Sequence, residues 1–151
     1  MGSGGLGSNV PLDLGEMEAR LHSIVGRFFV AFARIDLNLT LRVGNDKSFS
    51  AKLARLRSLV LEVGDNEETV REILAWVKDA DSLREIRNLV AHGRWGYLVR
   101  FQQVALVSGY PSAPQAERHF SLDELAAIVS DAESLGNALS RLPALLDSKI
   151  R

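Results

Sequence analysis

The stretch "REIRNLVAHGRW", residues 84 to 95, sets an arginine, an asparagine and a histidine inside an apolar pattern that is typical of a helix. On a helix, Arg84, Asn88 and His92 follow one another at steps of four residues and therefore share one stripe. Arg87 lies off that stripe, but its long side chain can reach round toward the histidine. A cation, an amide and a titratable imidazole are thus expected close together on one helix.

These residue types suit proton transfer beside a phosphate. The glycine after His92 places the imidazole in the last helical turn, where the negative end of the helix dipole favours the protonated form. Attack on a phosphodiester by a neighbouring hydroxyl needs a proton acceptor, a proton donor and a cationic group at the phosphate. Taken alone, the spacing fits equally well a helix end whose histidine only interacts with the dipole and whose arginines are solvated.

The elements that must position these residues are mainly helical. Apolar residues at three- and four-residue steps predict a long first helix over about residues 12–43. A second helix follows from a cap at Ser48 or Ser50 to Val63. Further helices are predicted over about residues 67–78, 82–92 and 121–143, the last two opened by capping-box pairs, Ser82 with Glu85 and Ser121 with Glu124.

After Gly93 the pattern changes from helical to alternating. The segment 95–109 is rich in β-branched and aromatic residues, with a period of two on Tyr97, Val99 and Phe101, and a loop over 110–115 follows it. One or two strands are expected. The predicted fold is therefore all-α, an antiparallel helical bundle of about five helices with a small β-hairpin-like insert before the last helix.

Composition narrows the class of protein. The chain has 151 residues, no cysteine and a formal net charge of −1, which predicts one domain, no thiolate metal site and a cytoplasmic protein. Residues 1–11 are expected to be a flexible leader or a cloning remnant, and residues 12–151 a single helical domain. His22 and His119 lack neighbours at metal-ligand spacing, and there is no glycine-rich phosphate loop, so neither a metal nor a cofactor is expected. No segment predicts a membrane span.

The hexapeptide Arg87-Asn88-Leu89-Val90-Ala91-His92 resembles the motif of the HEPN superfamily, in which an arginine and a polar residue precede a histidine on a helix of a small all-α bundle. The predicted architecture is similar to that family from about Leu12 to Leu146. The resemblance implies a metal-independent endoribonuclease that acts as a homodimer, with two copies of the motif facing each other. It also leaves open a noncatalytic HEPN-like module that binds a nucleotide, an RNA or a nucleotidyltransferase.

The resemblance also implies roles for individual residues. His92 would act as general base or acid on an RNA 2′-hydroxyl, Arg87 would stabilise charge on the scissile phosphate, and Asn88 would position either group. Substrate contacts are expected from the basic strip around the motif and from base stacking, through Arg84, Arg94 and Trp95. The alternatives without RNA contact are that the arginines lie at an exposed, solvated helix end and that the tryptophan lies in the core.

The remaining expectations concern the role of Asp36, the biological role of the protein and a structural alternative. Asp36 on the first helix is a candidate to orient His92 or Arg87, or else a solvent-facing residue or an ion-pair partner of its neighbours. The biological role expected for a ribonuclease of this kind is that of a toxin or a defence or stress effector, with an antitoxin as partner. A third reading is a structural dimerisation domain in which Arg87 and His92 only stabilise the interface.

Overall fold

The computed structural model describes residues 10–45, 48–64, 66–108 and 116–141. Within them the fold is mainly helical, with one small antiparallel sheet. In chain order the elements are α1 (Leu14–Val43), α2 (Phe49–Val63), α3 (Glu67–His92), β1 (Arg94–Leu98), β2 (Gln103–Ser108), β3 (Ala116–Ser121) and α4 (Leu122–Arg141). The predicted leader apart from residues 10 and 11, the loop over 110–115 and the end of the last helix near residue 143 lie outside the described residues.

Helix α1 confirms the prediction of one long amphipathic helix. It begins at Asp13, whose carboxylate accepts a hydrogen bond from the Glu16 amide at 2.8 Å, and it ends at Gly44, which has a φ of 95°. Its buried face supplies a large part of the core, through Met17, Leu21, Ile24, Phe28, Ala31, Phe32, Ile35, Leu39 and Val43. Helix α4 packs most extensively against α1, whereas α2 packs mainly on α3.

Four helices, and not five, are present in the described residues, because the predicted third and fourth helices are one. Helix α3 runs without a break for 26 residues. Ser82 does not cap a new helix; its hydroxyl donates to the Lys78 carbonyl at 3.2 Å, one turn back in the same helix. No glycine or proline lies between these two residues, and the fully buried Ala80 between them keeps that turn packed against the core.

The expected antiparallel arrangement is wrong for α1 and α4. Near the start of both helices Arg20 pairs with Asp123, and further along both Arg27 pairs with Glu133. Because the contacts advance in the same direction along each helix, α1 and α4 lie side by side and parallel. In an up-and-down bundle with short loops the first and fourth helices are antiparallel, but here a three-stranded sheet separates α3 from α4 in the chain.

The sheet is larger than the predicted hairpin. Its strand order is β1-β2-β3, with β1 antiparallel to β2 and β2 antiparallel to β3. Buried Val104, Leu106 and Phe120 join its inner face to the helical core. Strand β1 ends at Leu98, and the predicted alternation beyond it is replaced by a short 3-10 turn, Val99–Phe101.

A glutamine side chain fastens the sheet to the start of α1. The Gln102 amide oxygen accepts from the Leu12 N–H at 2.9 Å, and its amide nitrogen donates to the Leu12 carbonyl at 2.9 Å. Gln102 itself has a φ of 53°, which belongs to the tight turn between β1 and β2. The end of α3, the sheet and the start of α1 are therefore held in one place. No described helix combines the length and the apolar character that crossing a membrane requires.

Candidate functional site

The motif occupies the last two turns of α3, and Gly93 closes them. The Gly93 N–H donates to the Leu89 carbonyl at 2.8 Å, and the chain enters β1 one residue later. A Cβ atom at position 93 would lie 2.4 Å from the Leu89 oxygen, so a side chain there would push the chain out of this turn. The glycine thus makes His92 the last residue of the helix.

Arg87 is held against the core. Its side chain is half-buried, and its guanidinium carbon lies 5.9 Å from the centroid of the Phe32 ring on α1. That distance is within the range of a cation–π interaction. One guanidinium nitrogen, Nη1, donates to the Asn88 side-chain oxygen at 3.2 Å. The arginine and the asparagine of the motif are therefore positioned together, as a polar pair beside an aromatic face.

His92, in contrast, is exposed to solvent at the end of the helix. It follows Arg87 by five positions, and that spacing on an α-helix turns the two side chains toward different sides. No hydrogen bond joins the two side chains in the described part of the chain. The imidazole is accessible to a ligand, and one protomer does not by itself bring it onto the guanidinium.

Asp36 is engaged elsewhere. Its carboxylate accepts a hydrogen bond from Lys52 Nζ at 2.7 Å, and the described contacts include none from Asp36 to Arg87 or His92. The Lys52 side chain is only 8% exposed, whereas that of Asp36 is 40% exposed. Of the roles that the sequence left open for Asp36, the ion pair is the one this contact supports, and its partner is a lysine on α2.

The half-exposed Asp36–Lys52 ion pair and the motif arginine lie around one aromatic contact, which we call the Phe32 junction. The Phe32 and Phe49 ring centroids are 4.7 Å apart, joining α1 to α2. Asp36 follows Phe32 by one turn, Lys52 follows Phe49 by one turn, and Arg87 covers Phe32 from α3. Arg87 thus contacts α1 through Phe32, and the Phe32 ring packs in turn against Phe49 of α2. Sequence reasoning missed Lys52, the only buried charged residue among those described.

The three predicted substrate contacts have different surroundings. Arg84 is half-buried and its Nε donates to Asp81 at 2.9 Å. Arg94 is exposed at the start of β1. Trp95 is half-buried against the core, and its indole N–H donates to the Val90 carbonyl at 3.3 Å. The indole is therefore packed against the protein itself, which agrees with the alternative of a core position for Trp95. Of the three side chains, that of Arg94 is the most accessible to solvent.

A groove between α3 and α4 lies on another side of the motif helix. It has a volume of about 550 Å³, with an apolar floor and acidic and hydroxyl groups at its edges. Its lining does not include Arg87, Asn88 or His92. The lining residues are Asp79, Ser82, Leu83, Ile86, Ile128, Asp131, Ser134, Leu135 and Ala138. In the described residues no three His, Asp or Glu side chains form a group suited to a metal ion.

Tyr97 on β1 provides a spectroscopic test of how firmly the sheet packs beside the motif. Burial raises the pKa of this phenol above its ordinary value of 10.0, and the nearby Glu18 carboxylate adds to the effect. In a pH titration, the phenolate absorbance of the wild type that is missing in Tyr97→Phe is expected to appear with a midpoint above pH 10.0. The stabilisation from the neutral phenol is present below the ordinary pKa and is lost as pH rises through the raised one. A phenolate signal at or below the ordinary value would contradict this packing.

Compared with known proteins, the chain has no significant match to a family model, to a curated protein or to a solved structure.

Proposed function

We propose that this protein is a metal-independent endoribonuclease of the HEPN type that acts as a homodimer in the cytoplasm. One observation carries the proposal: Arg87 is fixed over Phe32 and bonded to Asn88, while His92 stands exposed at the end of the same helix. A positioned cation and an accessible proton carrier are two of the groups that cleavage beside a phosphate needs, and a second copy of the chain would bring them together.

The proposed reaction uses the RNA's own 2′-hydroxyl as nucleophile. His92 accepts the hydroxyl proton, the 2′-oxygen forms a bond to phosphorus, and the bond from phosphorus to the 5′-oxygen breaks. The leaving 5′-oxygen takes up a proton from the protonated imidazole of the partner's His92, and the product carries a 2′,3′-cyclic phosphate. Arg87 stabilises the negative charge that builds up on the phosphate oxygens, and Asn88 restrains the guanidinium through its hydrogen bond.

A second copy of the chain supplies what one protomer lacks. One imidazole cannot accept one proton and donate another at the same moment, and His92 makes no contact with Arg87 inside the described protomer. A homodimer that brings two motifs together offers two histidines and two arginines around one phosphate. Arg94, and less directly Arg84, would contact the RNA backbone. The cellular role that fits such an activity is that of a toxin or a defence or stress effector, held in check by an antitoxin.

A noncatalytic HEPN-like module is the second candidate. The contacts of Arg87 with Phe32 and Asn88 are equally compatible with it, because a structural role would engage the arginine in the same way. Such a module would bind a nucleotide, an RNA or a nucleotidyltransferase without cutting anything. The two candidates differ in turnover, and not in the placement of the motif.

The experiment is a cleavage and binding assay on labelled RNA in EDTA. The wild type, His92→Ala and Arg87→Ala are compared at equal concentration, with circular dichroism to establish that all three are folded. The ribonuclease proposal expects cleavage by the wild type alone. Binding without cleavage by the wild type supports the module instead, and the same assay then continues with nucleotides as ligands.

A further inference from the structure

The side of α1 that faces away from the core is unusually apolar. Seven exposed residues follow one another there at steps of three and four, and none of them is charged. We call them the outer stripe: Ala19, Ser23, Gly26, Val30, Ala33, Leu37 and Leu41. Val30, Leu37 and Leu41 are 54%, 60% and 75% exposed. Such spacing is the pattern of a helix that packs on two sides, yet the described chain covers only one of them.

Side-chain size changes along the outer stripe. Its first half carries small residues, Ala19, Ser23 and Gly26, and its second half carries the large Leu37 and Leu41. A helix end lined by small side chains accepts a close neighbour, and large exposed side chains need a place to insert. The two halves are thus complementary to each other in shape, but they lie at opposite ends of one helix and cannot meet within a protomer.

Gly26 has no evident role inside the protomer. A Cβ atom built at this position meets no atom within 4 Å, and the backbone there is ordinary α-helix. Glycine in the middle of an exposed helix is unfavourable relative to alanine. A residue that costs helix stability and relieves no internal clash is explained if another backbone or side chain approaches the helix closely at this point.

We propose that the outer stripe binds the outer stripe of a second copy of this chain, with the two α1 helices antiparallel and a two-fold axis near Val30. In this register Leu37 lies beside the partner's Ser23, and Leu41 lies beside the partner's Ala19. Leu37 and Leu41 then face small residues and Val30 faces its own copy at the axis, while Gly26 lies about one turn from the point where the helices cross. A parallel pairing places large residues on large ones and small on small, so the size pattern selects the antiparallel form.

Charge supports the same register. Arg34 flanks the stripe, is exposed, and has no carboxylate partner among the described residues. In the antiparallel pair it lies at the level of the partner's Gly26, close to the partner's Glu133, which within its own protomer pairs with Arg27. A concavity of about 370 Å³ opens at this position between α1 and α4, and Gly26, Arg34 and Glu133 are among the residues that line it. The partner's side chains have both room and an opposite charge there.

The expected contact area sets the strength of the association. From Ala19 to Leu41 the stripe is about 33 Å long and about 10 Å wide, roughly 330 Å² in projection. A standard stable interface buries roughly 800 Å² per partner. The stripe alone therefore covers less than half of that area, so we expect a weak, reversible dimer whose population rises with protein concentration.

This interface is separate from the motif and does not rest on the proposed function. Arg87 contacts α1 through Phe32, which is on the buried face, opposite the outer stripe. Two copies paired through their outer stripes therefore keep their motifs out of the contact. A motif-to-motif contact would use another surface, and a chain that makes both contacts would assemble beyond a dimer.

Cysteine cross-linking tests the register, because the chain has no cysteine of its own. In Val30→Cys the two introduced thiols face each other across the axis, and mild oxidation is expected to convert the chain to a disulfide-linked species of twice its mass. Leu41→Cys alone is the matched control. Its two thiols are about 33 Å apart in the proposed pair, far beyond the about 6 Å between Cα atoms that a disulfide spans. Mixing Leu41→Cys with Ala19→Cys is expected to give the cross-linked heterodimer.

Two results would overturn the proposal. Equal cross-linking by Val30→Cys and Leu41→Cys alone would indicate parallel or random contacts. A mass of one chain at every concentration in light scattering, with no cross-linking by any variant, would show that a second copy does not bind here. All three sites are exposed, so loss of folding is not expected, and circular dichroism checks it. RNA cleavage is read separately, so failure of this interface and failure of the proposed activity remain distinguishable.

Discussion

Replacing His92 with alanine is expected to slow RNA cleavage by about 10²- to 10⁴-fold, the usual contribution of a positioned general acid or base. The imidazole is exposed, and no hydrogen bond of the described residues depends on it. Its loss should therefore change the free energy of unfolding by no more than about 0.5 kcal/mol. Initial rates on labelled RNA and chemical denaturation of the same preparations measure the two effects.

His22→Ala is the matched control for that variant. His22 is also an exposed helical histidine, but it is on α1 and outside the motif. Its replacement is expected to leave both the cleavage rate and the stability unchanged. If His92→Ala destabilised the protein while keeping full activity, the histidine would be a structural residue. That result would favour a structural dimerisation domain in which Arg87 and His92 stabilise the interface.

Replacing Asp36 with alanine is expected to lower the free energy of unfolding by roughly 2–3 kcal/mol. The change leaves the Lys52 ammonium inside the protein without the carboxylate that it contacts at 2.7 Å. The expected loss is smaller than for a fully buried pair, because Asp36 is 40% exposed and water can partly replace it. The midpoint and slope of urea unfolding give the measurement.

Lys52→Met provides the control, because it removes the buried charge and keeps most of the side-chain volume. The remaining Asp36 carboxylate is accessible to water, so this variant is expected to be close to the wild type in stability. Equal destabilisation by the two variants would mean that the pair itself, and not the burial of an uncompensated lysine, determines the energy at the Phe32 junction.

The features that local chemistry determines were predictable from the sequence. Ser48 and Ser121 cap α2 and α4 as expected, accepting from the Ala51 and Glu124 amides at 3.1 and 3.0 Å. The long amphipathic helix α1 and the end of the motif helix at Gly93 were predictable for the same reason. Each depends on residues within one or two turns of each other, so the sequence carries the whole signal.

Features that depend on distant packing were not predictable in the same way. Ser82 and Glu85 have capping-box spacing, but burial of the surrounding helix prevents a break there. Strand β3 is polar and, within the part of the chain that the structure describes, pairs with only one neighbour, which leaves little apolar alternation to detect. Its existence follows from pairing with β2, a contact that sequence periodicity does not report.

In the candidate site, the sequence predicts that Lys52 lies on the buried face of α2, but it does not predict which residue pairs with it. It follows Phe49 by three residues and precedes Leu56 by four, so it falls on the buried face of α2. A lysine at such a position signals a buried partner, but only the fold identifies that partner as Asp36. The same limit applies to Arg87, whose aromatic contact with Phe32 joins two helices that are far apart in the chain.

The most direct test of the proposed activity is the chemistry of the RNA ends that the wild-type protein produces in EDTA. The account predicts 2′,3′-cyclic phosphate on the upstream fragment and a free 5′-hydroxyl on the downstream one, because the 2′-oxygen is the nucleophile. A 2′-deoxy substitution at the scissile nucleotide should abolish cleavage there. Fragments that end in 3′-hydroxyl and 5′-phosphate, or cleavage that persists at the deoxy position, would contradict the account.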